Sequence, residues 1–320
     1  MPISLHAAPA GLRRGAPRLS LWLVLLIAYA SLAPAPAAAW SSNGHMLIAA
    51  LAYRSLPSDR QAAWAALLQH HPEYDAWQQD FDALGVEMAV GEYLFMRASV
   101  WPDQIRRRGN PYDHATWHYT NFPLVPDAFA LAETLTPEND VLFGIQESVR
   151  VLGTVRADAV DRAVHLSWLV HLVGDLHQPL HAATLVNDVY PEGDRGGNDF
   201  FVRPRSNRAG MNLHAFWDQL LGTSGDVREV RNQATLLGRT YTRPALLELR
   251  EATDAHGWAL ESRQLCIEAV YLNGTLAGEV ETGRDQAPVL PDAYPMRAKQ
   301  IAERRAALAA YRLADVLADL

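Results

Sequence analysis

The residues best suited to chemistry lie in one segment, His165-Leu-Ser-Trp-Leu-Val-His171-Leu-Val-Gly-Asp175-Leu-His177-Gln-Pro-Leu-His181. On a helix His171 and Asp175 are four residues apart and share a face, with about 5–6 Å between their Cβ atoms. Trp168 and Leu172 adjoin them on a segment that is apolar nearly all round. A lone carboxylate is costly in such surroundings, and a cation removes that cost. The spacing recurs in Leu213-His214-Ala-Phe216-Trp217-Asp218-Gln-Leu220. A buried His hydrogen-bonded to an Asp explains one such pair equally well, but two pairs in aromatic surroundings point to a metal.

Zinc is held by neutral imidazole nitrogens and carboxylate oxygens, three or four of which must converge. Further candidates are His45, Asp103 in Trp-Pro-Asp, His118 and His181. The single cysteine, Cys266, excludes both an internal disulfide and a sulfur-ligated metal. The formal charge of −8 argues against a protein that coats duplex phosphate.

The elements that would position these residues read as helices. Asn43 is expected to cap a helix containing Met46, Leu47, Ile48, Leu51 and Ala52, and Ser58 to cap the next, with Ala62, Trp64, Leu67 and Leu68. Helical patterns then cover Phe81 to Arg107, Pro137 to Leu152, Asp158 to Leu176, Leu213 to Leu221, Val227 to Thr240, Thr253 to Ala277 and Tyr294 to Leu317. Only Thr116 to Phe122 and Phe200 to Val202 read as strands. Short polar loops without a linker predict one mainly α domain over residues 40–320. The loop from Asn187 to Asn198, with Pro191, Gly193, Gly196 and Gly197, is flexible enough in backbone choice to border a site.

Residues 1–39 read as a signal peptide. Arg13, Arg14 and Arg18 precede an apolar run from Leu19 to Leu32, followed by Ala-Pro repeats and Ala37-Ala38-Ala39. The run is too short to span a bilayer. Cleavage after Ala39 would make the protein periplasmic or secreted, with no stable membrane anchor, and would take its formal charge from −8 to −11. Trp40 would then offer its free amine and its carbonyl to a metal in a five-membered chelate, since the amine's pKa is near about 8.

Taken in order, Trp40, His45, Trp-Pro-Asp103, His118, His171-x-x-x-Asp175-x-His-Gln-Pro-Leu-His181, Gly-Gly-Asn198 and His214-x-x-x-Asp218 resemble the zinc-dependent S-one/P-one-type nucleases. These are single-strand-specific nucleases and 3′-nucleotidases whose helical fold is shared with bacterial zinc phospholipase C. The resemblance implies that fold, with a small β-hairpin element, and three zinc ions. Asp103, His118, His171 and Asp175 would hold the first. The Trp40 amine and carbonyl, His45 and the bridging Asp175 would hold the second, and His181, His214 and Asp218 the third. It further implies nucleobase binding by Tyr119, Asn121 and Asn198. Family members carry an acid at the position of Asn121 and a lysine at that of Arg106, which here would neutralise phosphate bidentately.

Such a centre would activate a water for in-line attack on phosphorus, with Asp103, Asp175 and Arg106 as catalytic residues. The implied reaction cleaves the P–O3′ bond of single-stranded DNA and RNA to 5′-phosphorylated products and removes phosphate from 3′-mononucleotides. No protein partner is implied. The alternatives are a zinc phospholipase C acting on lipid head groups and an exported zinc-binding protein without turnover. His177 reads as a helix stop or a support for the ligands rather than as a ligand itself.

Overall fold

The structure, a computed structural model, describes Met1 and residues 40–106, 109–125 and 136–320. The signal peptide expected over residues 1–39 lies outside the described residues, Met1 apart. No described helix is long and apolar enough to cross a membrane.

The chain is mainly helical. Helices α1 (Ser42–Ser55), α2 (Ser58–Leu68), α3 (Tyr74–Leu84) and α4 (Val90–Ile105) lead to strand β1 (Phe122–Leu124). Helices α5 (Val141–Leu152) and α6 (Ala159–Leu176) follow, then β2 (Ala183–Leu185), β3 (Phe201–Val202) and β4 (Met211–Asn212). Helices α7 (Leu213–Asp218), α8 (Val227–Thr240), α9 (Glu248–Glu251), α10 (Ala255–Leu265) and α11 (Tyr294–Asp319) complete it.

Helix α6 is the axis of the arrangement, packed by α4, α5 and α11, while α1 packs on α4, α8 and α11. From Leu166 to Leu176 every residue of α6 is buried, as its all-round apolar sequence requires. Asp158 starts it by accepting from the Val160 and Asp161 amides, which satisfies donors that have no partner within the helix. The larger core joins α1, α4, α6 and α11, including Trp40 and Trp168; a second cluster gathers Leu180, Phe200, Leu213, Trp217, Tyr271 and Tyr294. The first carries His171 and Asp175, and the second flanks His181, His214 and Asp218.

The expected hairpin is present as the antiparallel β3–β4 pair, with Phe201 opposite Asn212. The sequence did not signal the second pair, in which β1 runs parallel to β2 with Phe122 opposite Ala183. The strand expected over Thr116 to Phe122 is a turn as far as Trp117 and His118, and pairing begins only at Phe122. The amides of Thr120 and Phe122 are spent on the carbonyls of His181 and Ala182, which fixes this segment against the metal motif.

The continuous helix expected from Phe81 to Arg107 is interrupted: α3 ends at Gly85, in the left-handed conformation (φ 57°), and α4 starts at Val90. The helix expected from Thr253 to Ala277 stops at Leu265, adds a π-turn over Cys266–Val270, and breaks where Leu272, Asn273 and Gly274 all take positive φ. Ser41, rather than Asn43, caps α1; the Asn43 amide is buried and donates to the Leu221 carbonyl and Gln233. Pro57 occupies the N-cap of α2, with Ser58 inside the helix. Helix α8 has the expected bounds.

Candidate metal centre

Three groups of convergent His and Asp side chains stand where the two cores meet: His45, His171 and Asp175; Asp103, His118 and His171; and His181, His214 and Asp218. His45 comes from α1, Asp103 from the last turn of α4, His171 and Asp175 from α6, and His214 and Asp218 from α7. His181 closes a one-turn 3-10 helix started by Pro179.

Asp175 is fully buried and faces both of the first two groups. Its Oδ2 lies 3.1 Å from His118 Nδ1 and 3.1 Å from His171 Nε2; its Oδ1 lies 3.2 Å from His45 Nε2. Asp103 Oδ1 stands 3.8 Å from His118 Nδ1 and 3.9 Å from His171 Nε2. The His45 and His171 rings stack at 4.1 Å. Gly174 permits this approach, because a Cβ there would come within 3.0 Å of His45 Nδ1.

The hydrogen bonds around these rings test whether a metal fits. His171 Nδ1 donates to the Ser99 carbonyl (2.7 Å), His181 Nδ1 to the His118 carbonyl (2.6 Å) and His214 Nδ1 to the Gly196 carbonyl (2.7 Å). A carbonyl only accepts, so each of these Nδ1 atoms carries the proton when the ring is neutral and each Nε2 presents a lone pair. The Nε2 atoms of His181 and His214 face each other at 3.0 Å. Two nitrogens on one tetrahedral zinc at about 2.0–2.1 Å stand about 3.3 Å apart, so the two lone pairs already converge as an ion requires. In the first group His45 Nε2 and Asp175 Oδ1 are buried and make no hydrogen bond, despite lying 3.2 Å apart. Buried polar atoms are seldom left in that state, and a shared cation accounts for both.

Electrostatics favours the neutral state for these rings except His171, where burial lowers the pKa but Asp175 and Asp103 prevail and raise it. Burial lowers the pKa of His45 and His181, that of His118 to about 4 and that of His214 to about 3, so these rings are neutral near pH 7. Burial opposes ionisation of Asp103 and Asp175 as well. There the neighbouring imidazoles, His171 first, prevail and hold both carboxyls below their ordinary range. Burial raises Asp218 well above the usual carboxylate range, a cost that a cation would offset.

Trp40 is fully buried; its indole donates to the Gly174 carbonyl (2.9 Å), beside Asp175, and the next amide, Ser41, donates to the Asp218 carbonyl (3.0 Å). The start of the described fold is therefore tied to both α6 and α7. Arg106 is half-buried, with Nη1 3.3 Å from Asp103 Oδ1. Tyr119 and Asn121 are half-buried on either side of Thr120, whose amide binds the His181 carbonyl (2.8 Å). Asn198, also half-buried, donates from its side chain to the Arg195 carbonyl (2.8 Å).

His177 belongs to none of the three groups. Its Nδ1 donates to the Val173 carbonyl and its Nε2 accepts from the buried Arg312 at 2.9 Å. Sequence reasoning missed Asp194, a buried carboxylate that accepts from the Leu185 amide, Thr184 and Tyr271 and so anchors the glycine-rich loop. That anchoring brings the Gly196 carbonyl to His214. Gly196 and Gly197 have positive φ (61° and 79°), and a Cβ on Gly196 would lie 2.4 Å from the Leu180 carbonyl oxygen. Gln178 and Gly174 were also missed, although both stand inside the His-rich motif.

A mainly helical chain that brings His and Asp side chains into three convergent groups, each able to hold a metal ion, has the make-up of a metal-dependent enzyme. Residues 40–320 match the S1/P1 nuclease family, and the chain belongs to it. Among its relatives in Arabidopsis thaliana, Endonuclease 5 is 24% identical, the alignment covering 93% of this chain and 95% of that protein. Endonuclease 3 is 24% identical over 93% and 94%, and Endonuclease 4 is 30% identical over 48% of each. The protein is a nuclease, and its substrates are nucleic acids.

Proposed function

We propose that this nuclease is an exported three-zinc enzyme that cuts the P–O3′ bond of single-stranded DNA and RNA, leaves 5′-phosphorylated ends, and removes phosphate from 3′-mononucleotides. The observation that carries this reading is the Asp175 carboxylate, which turns one oxygen to His45 and the other to His118 and His171. A carboxylate so placed suits a pair of ions, with Asp103, His118 and His171 completing one site and His45 with the Trp40 amine and carbonyl the other. His181, His214 and Asp218 suit a third. Zinc ions bound there would polarise the phosphoryl group and bring the pKa of water near neutrality.

The remaining roles fall to the chain itself. Asp103, ionised and on the rim of the site at 19% side-chain exposure, would accept a hydrogen bond from the attacking water and aim it in line with the bond to O3′. Arg106, beside it, would donate two hydrogen bonds to the non-bridging oxygens as charge builds on them. The Tyr119 ring would stack on one base, and the amides of Asn121 and Asn198 would pair with its edge. A base held in a duplex is not available for that stacking, which is the source of the single-strand preference.

Export to the periplasm or medium, with a leader removed after Ala39, rests on Arg13, Arg14 and Arg18 ahead of the apolar run from Leu19 to Leu32 and on Ala37-Ala38-Ala39. The test uses zinc-loaded protein beginning at Trp40, with single-stranded and duplex oligonucleotides, 3′-AMP and phosphatidylcholine as substrates. Single strands should be cut to 5′-phosphate ends and 3′-AMP should lose phosphate. Hydrolysis of the lipid alone overturns the reading.

A further inference from the structure

We infer that Gln178 is a positioning residue that aims the Asp218 carboxylate and fixes it in register with His181; the inference rests on reading His181, His214 and Asp218 as a metal site. Gln178 is fully buried, and its Nε2 donates to Asp218 Oδ1 at 2.8 Å. Among the described residues no other group hydrogen-bonds to that carboxylate. The second oxygen, Oδ2, is left 3.6 Å from His214 Nε2, on the side where the two imidazole lone pairs converge.

The amide cannot turn over, because its Oε1 accepts from the Leu180 amide at 2.6 Å, and a flipped group would set NH2 against N–H. The backbone of the same residue holds the neighbouring ligands. Its amide donates to the Asp175 carbonyl at 2.9 Å, and its carbonyl accepts from the His181 amide at 3.0 Å. One residue thus binds the main chain of two ligands and the side chain of a third, 40 positions along the sequence.

The residue type follows from the task. Asp218 needs a donor on one oxygen to stop rotation of the carboxylate, and it must keep its full negative charge for a cation. Arginine or lysine would orient it but neutralise it, and so compete with the metal. Serine or asparagine at position 178 is too short to reach. Glutamine supplies a neutral donor of the required length. Groups that orient metal ligands in this way are typically worth about 10–100-fold in metal affinity.

The test compares the wild-type protein beginning at Trp40 with Q178M, which keeps the volume and loses both side-chain hydrogen bonds, and with Q178N, which keeps the amide but cannot span the gap. Zinc content after dialysis and affinity by chelator competition are the readouts. One ion should be weakened about 10–100-fold and the other two retained. In a D218A background Q178M should add no further loss, since Gln178 acts through Asp218. Wild-type zinc affinity in Q178M, or losses from Q178M and D218A that add independently, overturn the inference. Should Q178M not accumulate folded, Q178N decides by the same criteria. A wild-type protein holding two ions, with none lost in D218A, overturns the metal reading of the group itself.

Discussion

The backbone carbonyl of His118 accepts the Nδ1 proton of His181 at 2.6 Å, so a residue whose imidazole belongs to one group of ligands fixes the ring of another. The same turn passes the Thr120 amide back to the His181 carbonyl. The two groups are therefore locked together by short bonds of fixed direction, not merely by shared packing. A phosphate spanning them would meet a centre whose geometry is set before it arrives.

Asp175 is the point where damage should spread furthest. D175N keeps the volume but weakens the tie to His45, His118 and His171 together, so two ions should be lost and not one. Activity on single strands should fall by more than roughly 100-fold, beyond the usual effect of a residue that only supports a ligand. Zinc analysis alongside the rate is decisive, because loss of a single ion would show that the carboxylate is not shared.

Gly174 carries no functional group, yet its substitution should be felt at the metal. A methyl at this position would stand 3.0 Å from His45 Nδ1 and 3.2 Å from Cε1. Since α6 cannot yield within the core, the His45 ring must move out of its stack on His171. G174A is expected to lower zinc occupancy with little change in helix content, measured by metal analysis and circular dichroism. Unaltered occupancy would show that the ring has room to adjust.

The chain start proposed at Trp40 gives a third expectation. Protein carrying one additional residue before Trp40 can no longer offer a terminal amine at the same place, although the indole bond to Gly174 is preserved. It should hold one zinc more weakly and cleave more slowly than protein beginning at Trp40. Equal zinc affinity and rate in the two forms would remove Trp40 from the ligands.

Much of this arrangement can be read from the chain, and the division has a physical cause. The His171–Asp175 and His214–Asp218 spacings follow from helix period alone, as do the full length of α8 and the buried run of α6. The boundaries failed where long-range bonds overrode local preference. The segment around His118 looks extended, but its amides are engaged by His181 and Ala182; Asn43 looks like a cap, but its amide is claimed by Leu221 and Gln233. The groups that orient the ligand rings are carbonyls of Ser99, His118 and Gly196, and a carbonyl has no residue type by which to be recognised. Tyr271, 77 positions from the Asp194 it holds, gives no local signal either.

His71 predicts an acid sensitivity independent of the metal centre. It is buried, stacked on Trp77 at 4.3 Å and edge-on to Trp101, with Nδ1 accepting from the Glu73 amide. Burial lowers its pKa from 6.5 to about 3. The folded-state value is depressed, so between these limits the unfolded chain binds the extra proton. The stability tied to neutral His71 is fully present above pH 6.5 and declines as the pH falls towards 3. H71F fills the site without a titrating group. Relative to wild type it should gain up to about 2 kcal/mol between pH 7 and pH 5, at about 1.4 kcal/mol per pH unit below 6.5. Urea unfolding of both proteins in chelator at the two pH values measures this, and an unchanged difference would count against a buried neutral His71.

Tyr119 offers the sharpest separation of substrate binding from chemistry. It follows His118 directly, and its carbonyl accepts from the Val141 amide (3.2 Å) at the start of α5, so the backbone that carries the ring is held at both ends. Removing the ring in Y119A leaves every proposed metal ligand in place. Stacking of one base contributes about 1–3 kcal/mol, which corresponds to a loss of roughly 5–150-fold in kcat/KM on single strands. The loss should appear mainly in KM, with three zinc ions retained, because the ring binds the base alike in the ground and transition states. A similar fold-change on a substrate lacking the base, such as an abasic phosphodiester, would assign Tyr119 to the scaffold of the site and not to the nucleobase.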